Sequence, residues 1–149
     1  MRLKSLPAAA KLSLNSAMLL GNTIVSTPFL LGTVLLRALP NSQLQAKGKQ
    51  WAVEIAERWI GNNNAMFDAT QATEYEIHGL EQLNPQQSYL LVSNHQSWTD
   101  IMVLQKVLNR QIPFFRFFLK QELIWMPIIG VCWWALDFPF MKRYSKEQL

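Results

Sequence analysis

The chain has 149 residues, half of them apolar, with 14 basic and 10 acidic side chains and a formal charge of +4. That length suits one ordinary domain, and the apolar content excludes a globally disordered chain. The modest positive charge fits an anionic membrane surface or a phosphate-bearing substrate at least as well as nucleic acid. The aromatic residues lie in apolar runs rather than among the lysines and arginines, so no nucleic-acid partner is expected. Cys132 is the only cysteine, within Ile128-Ile129-Gly130-Val131-Cys132-Trp133-Trp134. It excludes an internal disulfide and a cysteine-built metal site, reads as a buried small hydrophobe, and places the globular part on the reducing, cytoplasmic side.

Residues 12–36 carry no charge over 25 positions. As a helix at about 1.5 Å per residue they reach roughly 37 Å, enough for a hydrocarbon core of about 30 Å. Eight of the 25 are Ser, Thr or Asn, and Pro28 falls inside. On a helical wheel Asn15, Asn22, Ser26 and Thr33 form one stripe, flanked by Ser16, Thr23 and Thr27. Leu14, Met18, Val25, Phe29 and Leu36 take the other side. This pattern predicts a helix with one face in lipid and the other on protein. Arg2, Lys4 and Lys11 precede the segment, and Arg37, Lys47 and Lys49 follow it, which gives no inside-out asymmetry. A spanning helix, one that enters and returns on the same side, and one lying deep in one leaflet all fit.

Ser42 to Ile60 reads as a second, basic amphipathic helix, stopped by Gly61, with Trp51 and Trp59 suited to a membrane interface. A loop is expected at Asn62-Asn63-Asn64. Beyond it Thr73–His78 and Ser88–Ser93 read as strands, Trp98–Leu108 as a helix, Ile112–Leu119 as a strand, and a short helix starts at Lys120 or Gln121. The expected architecture is α/β: residues 1–61 a membrane-associated two-helix segment, residues 62–149 a mainly parallel or mixed sheet flanked by helices.

The informative stretch is Asn94-His95-Gln96-Ser97-Trp98-Thr99-Asp100, between a strand and a helix. On one continuous helix His95 and Asp100 sit about 140° apart, so they meet only if the chain turns between them. Ser97 supplies that turn, since Ser97 and Asp100 have the spacing of a capping box. A carboxylate on one ring nitrogen fixes the tautomer and leaves the other nitrogen to take a proton. On residue chemistry alone, a cap acid and a loop histidine account for the two residues as well. His78, before Gly79, reads as a surface residue.

These residues resemble the glycerolipid acyltransferase family, the 1-acylglycerol-3-phosphate acyltransferases among them. Its first motif, a histidine and an aspartate separated by four residues and introduced by asparagine, is Asn94-His95 with Asp100. A second block matches Lys120-Gln121-Glu122-Leu123, then Pro127, Gly130 and Arg143. The run Phe138–Tyr144 looks closest to the YihG-type bacterial subgroup. The resemblance implies a general base at His95 oriented by Asp100, an acceptor phosphate on Arg143 with Lys120, and Ser97 as a cap rather than a nucleophile. It also implies no metal and no bound cofactor. Acyl-coenzyme A or acyl carrier protein would be the co-substrate, membrane lipid the partner, and the bacterial inner membrane the location, with the catalytic part facing the cytoplasm. The family's third motif, a Phe-Pro-Glu-Gly-like loop, is expected some tens of residues after Arg143. The chain ends at Leu149 before it, so the resemblance implies an N-terminal fragment whose C-terminal part is missing.

Overall fold

The computed structural model describes residues 3–142. Two long helices come first, α1 (Ala8–Ala38) and α2 (Ser42–Thr70), followed by α3 (Trp98–Leu108), β1 (Leu119–Lys120), α4 (Ile129–Ala135) and β2 (Phe140–Met141). Short 3-10 turns occupy Leu3–Ser5, Leu80–Gln82 and Gln121–Trp125. The described residues are mostly helical, with β1 and β2 pairing in parallel as a two-stranded sheet. The chain divides into two compact units, Met1–Asn22 with Glu57–Phe115, and Thr23–Ala56 with Arg116–Leu149.

Helix α1 contains the uncharged stretch and is long and apolar enough to cross a membrane. Only 11% of its most apolar window is buried, whereas the core helix of a soluble protein would be mostly covered. Its exposed face carries Leu12, Val25, Phe29 and Leu35, while Asn15 and Thr33 are buried. The polar stripe therefore points inward. In the first unit Asn22 Nδ2 donates to the Trp59 carbonyl at 3.0 Å and to Asn63 Oδ1 at 2.7 Å, and Thr70 Oγ1 donates to Asn15 Oδ1 at 3.0 Å. Such bonds satisfy side chains that face away from water, and the apolar face turned outward is the arrangement a bilayer favours.

Helix α2 runs ten residues past Ile60, through Gly61 and the three asparagines expected to form a loop. An asparagine usually breaks a helix by bonding its own backbone. Here Asn62 donates to Asn22 Oδ1 at 3.3 Å and Asn63 Oδ1 accepts from Asn22, so both side chains are tied across the seam and the helix continues, with Asn63 Nδ2 buried and unpaired. Gly61 has open space where a Cβ would sit, and a helical glycine there costs only about 1 kcal/mol.

The expected strands at 73–78 and 88–93 do not form among the described residues, and of Ile112–Leu119 only Leu119 enters a strand. Residues 72–78 and 84–99 are all exposed, with Leu90 and Val92 each 85% accessible. Local β-propensity supplies one half of a ladder, and a strand exists only where a second segment pairs its backbone groups. The β1–β2 pair does meet that condition. Its connection runs through Gln121–Trp125 and α4, the helical crossover that a parallel pair requires.

In the second unit Leu30, Ala52, Ala56, Leu119, Ala135, Leu136 and Phe138 are buried. Phe117 packs beside Phe138 with ring centroids 6.3 Å apart. Cys132 is half-buried there, its Sγ 3.3 Å from Thr27 Oγ1. Two glycines fix close approaches. A Cβ on Gly48 would lie 2.8 Å from Arg37 Cγ and 2.9 Å from the Thr33 carbonyl, so α2 rests directly on the last turns of α1. A Cβ on Gly130 would collide with the Ile124 carbonyl oxygen and sit 2.9 Å from that of Leu123. Gly130→Ala is therefore expected to destabilise the second unit by about 1–3 kcal/mol through forced overpacking. Thermal unfolding checks this; an unchanged midpoint would contradict the close approach.

Candidate active site

The site is set by the start of α3. Ser97 is the N-cap, in extended conformation, and its hydroxyl accepts the Thr99 N–H at 3.2 Å. Asp100, at the third helical position, reaches back to complete the capping box. Its Oδ2 accepts the Gln96 N–H at 2.6 Å and the Ser97 N–H at 2.9 Å. His95 Nδ1 lies 3.2 Å from the same oxygen. One carboxylate thus both caps the helix and contacts the histidine.

Electrostatics follow from that geometry. The Ser97 and Gln96 backbone N–H groups hold the Asp100 carboxyl below its ordinary value; burial opposes them, and His95 adds smaller effects in the same direction as the N–H groups. The sign is that of a stabilised carboxylate. Its contribution to the helix cap is fully present above about pH 4, the ordinary carboxylate range, and is lost as pH falls through the lowered value. A carboxyl NMR titration should therefore place the Asp100 midpoint below about 4, and a midpoint above it would contradict the bonding described.

With Nδ1–H donated to Asp100, Nε2 carries the ring's lone pair. The His95 side chain is 60% exposed, so that nitrogen can meet a substrate from outside. Helix α3 is held to the C-terminal half of α2 by Lys106 with Asp68 at 2.5 Å, by Arg110 Nε with Glu57 at 3.2 Å, and by Asn109 Nδ2 on the Glu57 carbonyl at 3.3 Å. Lys106 also lies 5.3 Å over the Tyr75 ring. The cap is thus carried on an anchored helix.

The other sequence-singled residues fall elsewhere. Lys120 is exposed, in β1, in register with Met141. Glu122 is exposed in the turn after it, and Pro127 precedes Ile128, whose φ of 64° is left-handed. Gly130 is buried at the close approach to Ile124. Arg143 lies outside the described residues. His78 is exposed and pairs with Glu76 at 3.0 Å rather than standing in a strand. Among the described residues no group of three or more His, Cys, Asp or Glu side chains gathers as a metal site would. Sequence reasoning did not find the Gln96 N–H as a third donor to Asp100, because backbone groups leave no composition signal.

A family model described as Acyltransferase matches residues 74–149. The enzymes named 1-acyl-sn-glycerol-3-phosphate acyltransferase alpha of Mus musculus, Homo sapiens and Bos taurus are each 35% identical over 69 residues, which is 46% of this chain and 23% of theirs. The matched stretch thus spans under a quarter of the length of these curated relatives. No solved structure matches. With the family match covering half of the sequence, and Asn94, His95, Asp100 and Gly130 all inside it, the chain belongs to the acyltransferase family.

Proposed function

We propose that the protein transfers a fatty acyl group from a thioester to the hydroxyl of a lysophospholipid such as 1-acylglycerol-3-phosphate, with His95 as general base. The observation that carries this is the His95 Nδ1 contact with Asp100 at 3.2 Å, which leaves Nε2 to take a proton. The acceptor oxygen attacks the thioester carbonyl as its proton passes to Nε2. Asp100 stabilises the imidazolium. Collapse of the tetrahedral adduct breaks the C–S bond, and the thiolate leaves with the proton from Nε2. Ser97, whose hydroxyl is engaged with Thr99, serves the helix rather than the chemistry, so no acyl-enzyme forms.

Arg143 with Lys120 would bind the acceptor phosphate, arginine by bidentate hydrogen bonding. The donor is acyl-coenzyme A or acyl carrier protein, and no further cofactor takes part. The apolar exposed face of α1 supports work at a membrane, with residues 62–149 on the cytoplasmic side of a bacterial inner membrane. Within the family, the Phe138–Tyr144 run supports the YihG-type subgroup. The test is a transfer assay in lipid vesicles with both donors and a panel of lysophospholipids, on the wild-type protein and on His95→Ala. Transfer that requires His95 supports the reading; turnover retained in the variant sinks it.

A further inference from the structure

A cavity of about 360 Å³ in the second unit shares no residue with the His95 pair. It is lined by Arg37, Lys49, Arg116 and Asp137, with Ala52 and Val53 and the end of α4 at Ala135 and Leu136. Its volume falls in the range of about 300–1,000 Å³ typical of small-ligand sites. Three cations and one carboxylate line it.

The cations are held in place. Arg37 Nη1 donates to the Ala135 carbonyl at 2.6 Å and Nη2 to Asp137 Oδ1 at 2.6 Å. Arg116 Nε donates to the Leu136 carbonyl at 2.6 Å. Both arginines thus sit at the carbonyl end of α4, where positive charge is favoured, and Gly48 presses against the Arg37 stem. Arg37 spends two of its five donors on these bonds. Lys49 has no ion-pair partner among the described residues. Leu35 and Leu39, around the end of α1, and Trp51, in the first half of α2, are exposed.

We propose that this cavity binds the phosphate-bearing headgroup of an anionic membrane lipid. The clustered cations select the phosphate, and the exposed apolar face of α1, which supports a membrane setting, favours a lipid source over a soluble one. The proposal rests on the membrane reading of α1 but not on the chemistry at His95.

Amine acetylation of the whole chain, in nanodiscs of phosphatidylcholine with or without phosphatidate, reads the cavity directly. Lys49 lines it, and Lys47 is exposed two residues away and does not. Phosphatidate should slow Lys49 labelling about fivefold relative to Lys47, the protection of a site whose ligand stands at about four times its Kd. Excess inorganic phosphate over phosphatidylcholine discs should not. Equal slowing of the two lysines would overturn the cavity and leave only diffuse attraction. Equal protection by inorganic phosphate would assign it to a soluble anion instead. If the chain enters neither kind of disc, the membrane reading falls and this proposal with it. Entry with equal labelling refutes the cavity alone.

Discussion

Replacing His95 with alanine is expected to lower acyl transfer by about 10²–10⁴-fold, the usual contribution of a positioned general base. The effect falls on kcat, because the proton moves only as the acceptor oxygen attacks. Folding should be little changed, since the ring is 60% exposed and its one described partner, Asp100, keeps its bonds to Gln96 and Ser97. Membrane binding should also persist, because the apolar face of α1 lies outside the site. Rates measured on wild type and variant in the same vesicles check all three. A loss confined to KM would reassign His95 to substrate binding.

In the proposed reaction Asp100 has two duties, and two substitutions separate them. In Asp100→Asn the amide oxygen can still accept the Ser97 N–H, so α3 keeps its cap and the unfolding midpoint stays near that of wild type. Because the oxygen that takes the cap is the one beside His95 Nδ1, the ring keeps its acceptor and what is lost is the negative charge that stabilises the imidazolium. Transfer should then fall by about tenfold or more, the scale of a charge partner worth about 1–3 pKa units. Asp100→Ala removes the acceptor altogether and should lower both transfer and thermal stability, since the Gln96 and Ser97 donors lose their partner. Equal activity in Asp100→Asn and wild type would reduce Asp100 to a cap.

What could be read from the sequence was what is local. The start of α3 was legible because Ser97 and Asp100 lie three residues apart and close their cap within one turn. The inward stripe of α1 was legible because Asn15, Asn22 and Thr33 share a face whatever they meet. The continuation of α2 was not. Gly61 and Asn62–Asn64 carry a stop signal, and what overrides it is Asn22, some forty residues away. The strands at 73–78 and 88–93 failed for a related reason: alternation describes a face, and the ladder partner is a separate fact. Gly130 could be picked out only by resemblance, and its physical reason, a carbonyl of Ile124 where a Cβ would be, is tertiary. Arg37 read as a flanking charge, because its bonds to Ala135 and Asp137 span about a hundred residues.

The most direct test of the central claim follows the two products together. The protein is given an acyl-labelled thioester with and without 1-acylglycerol-3-phosphate, and the released thiol and the diacylated lipid are counted in the same reaction. Direct transfer with His95 as base predicts equal amounts of the two, thiol release only when the acceptor is present, and neither product from His95→Ala. Thiol release without acceptor, with label left on the protein, would mean a covalent acyl-enzyme and would contradict the account.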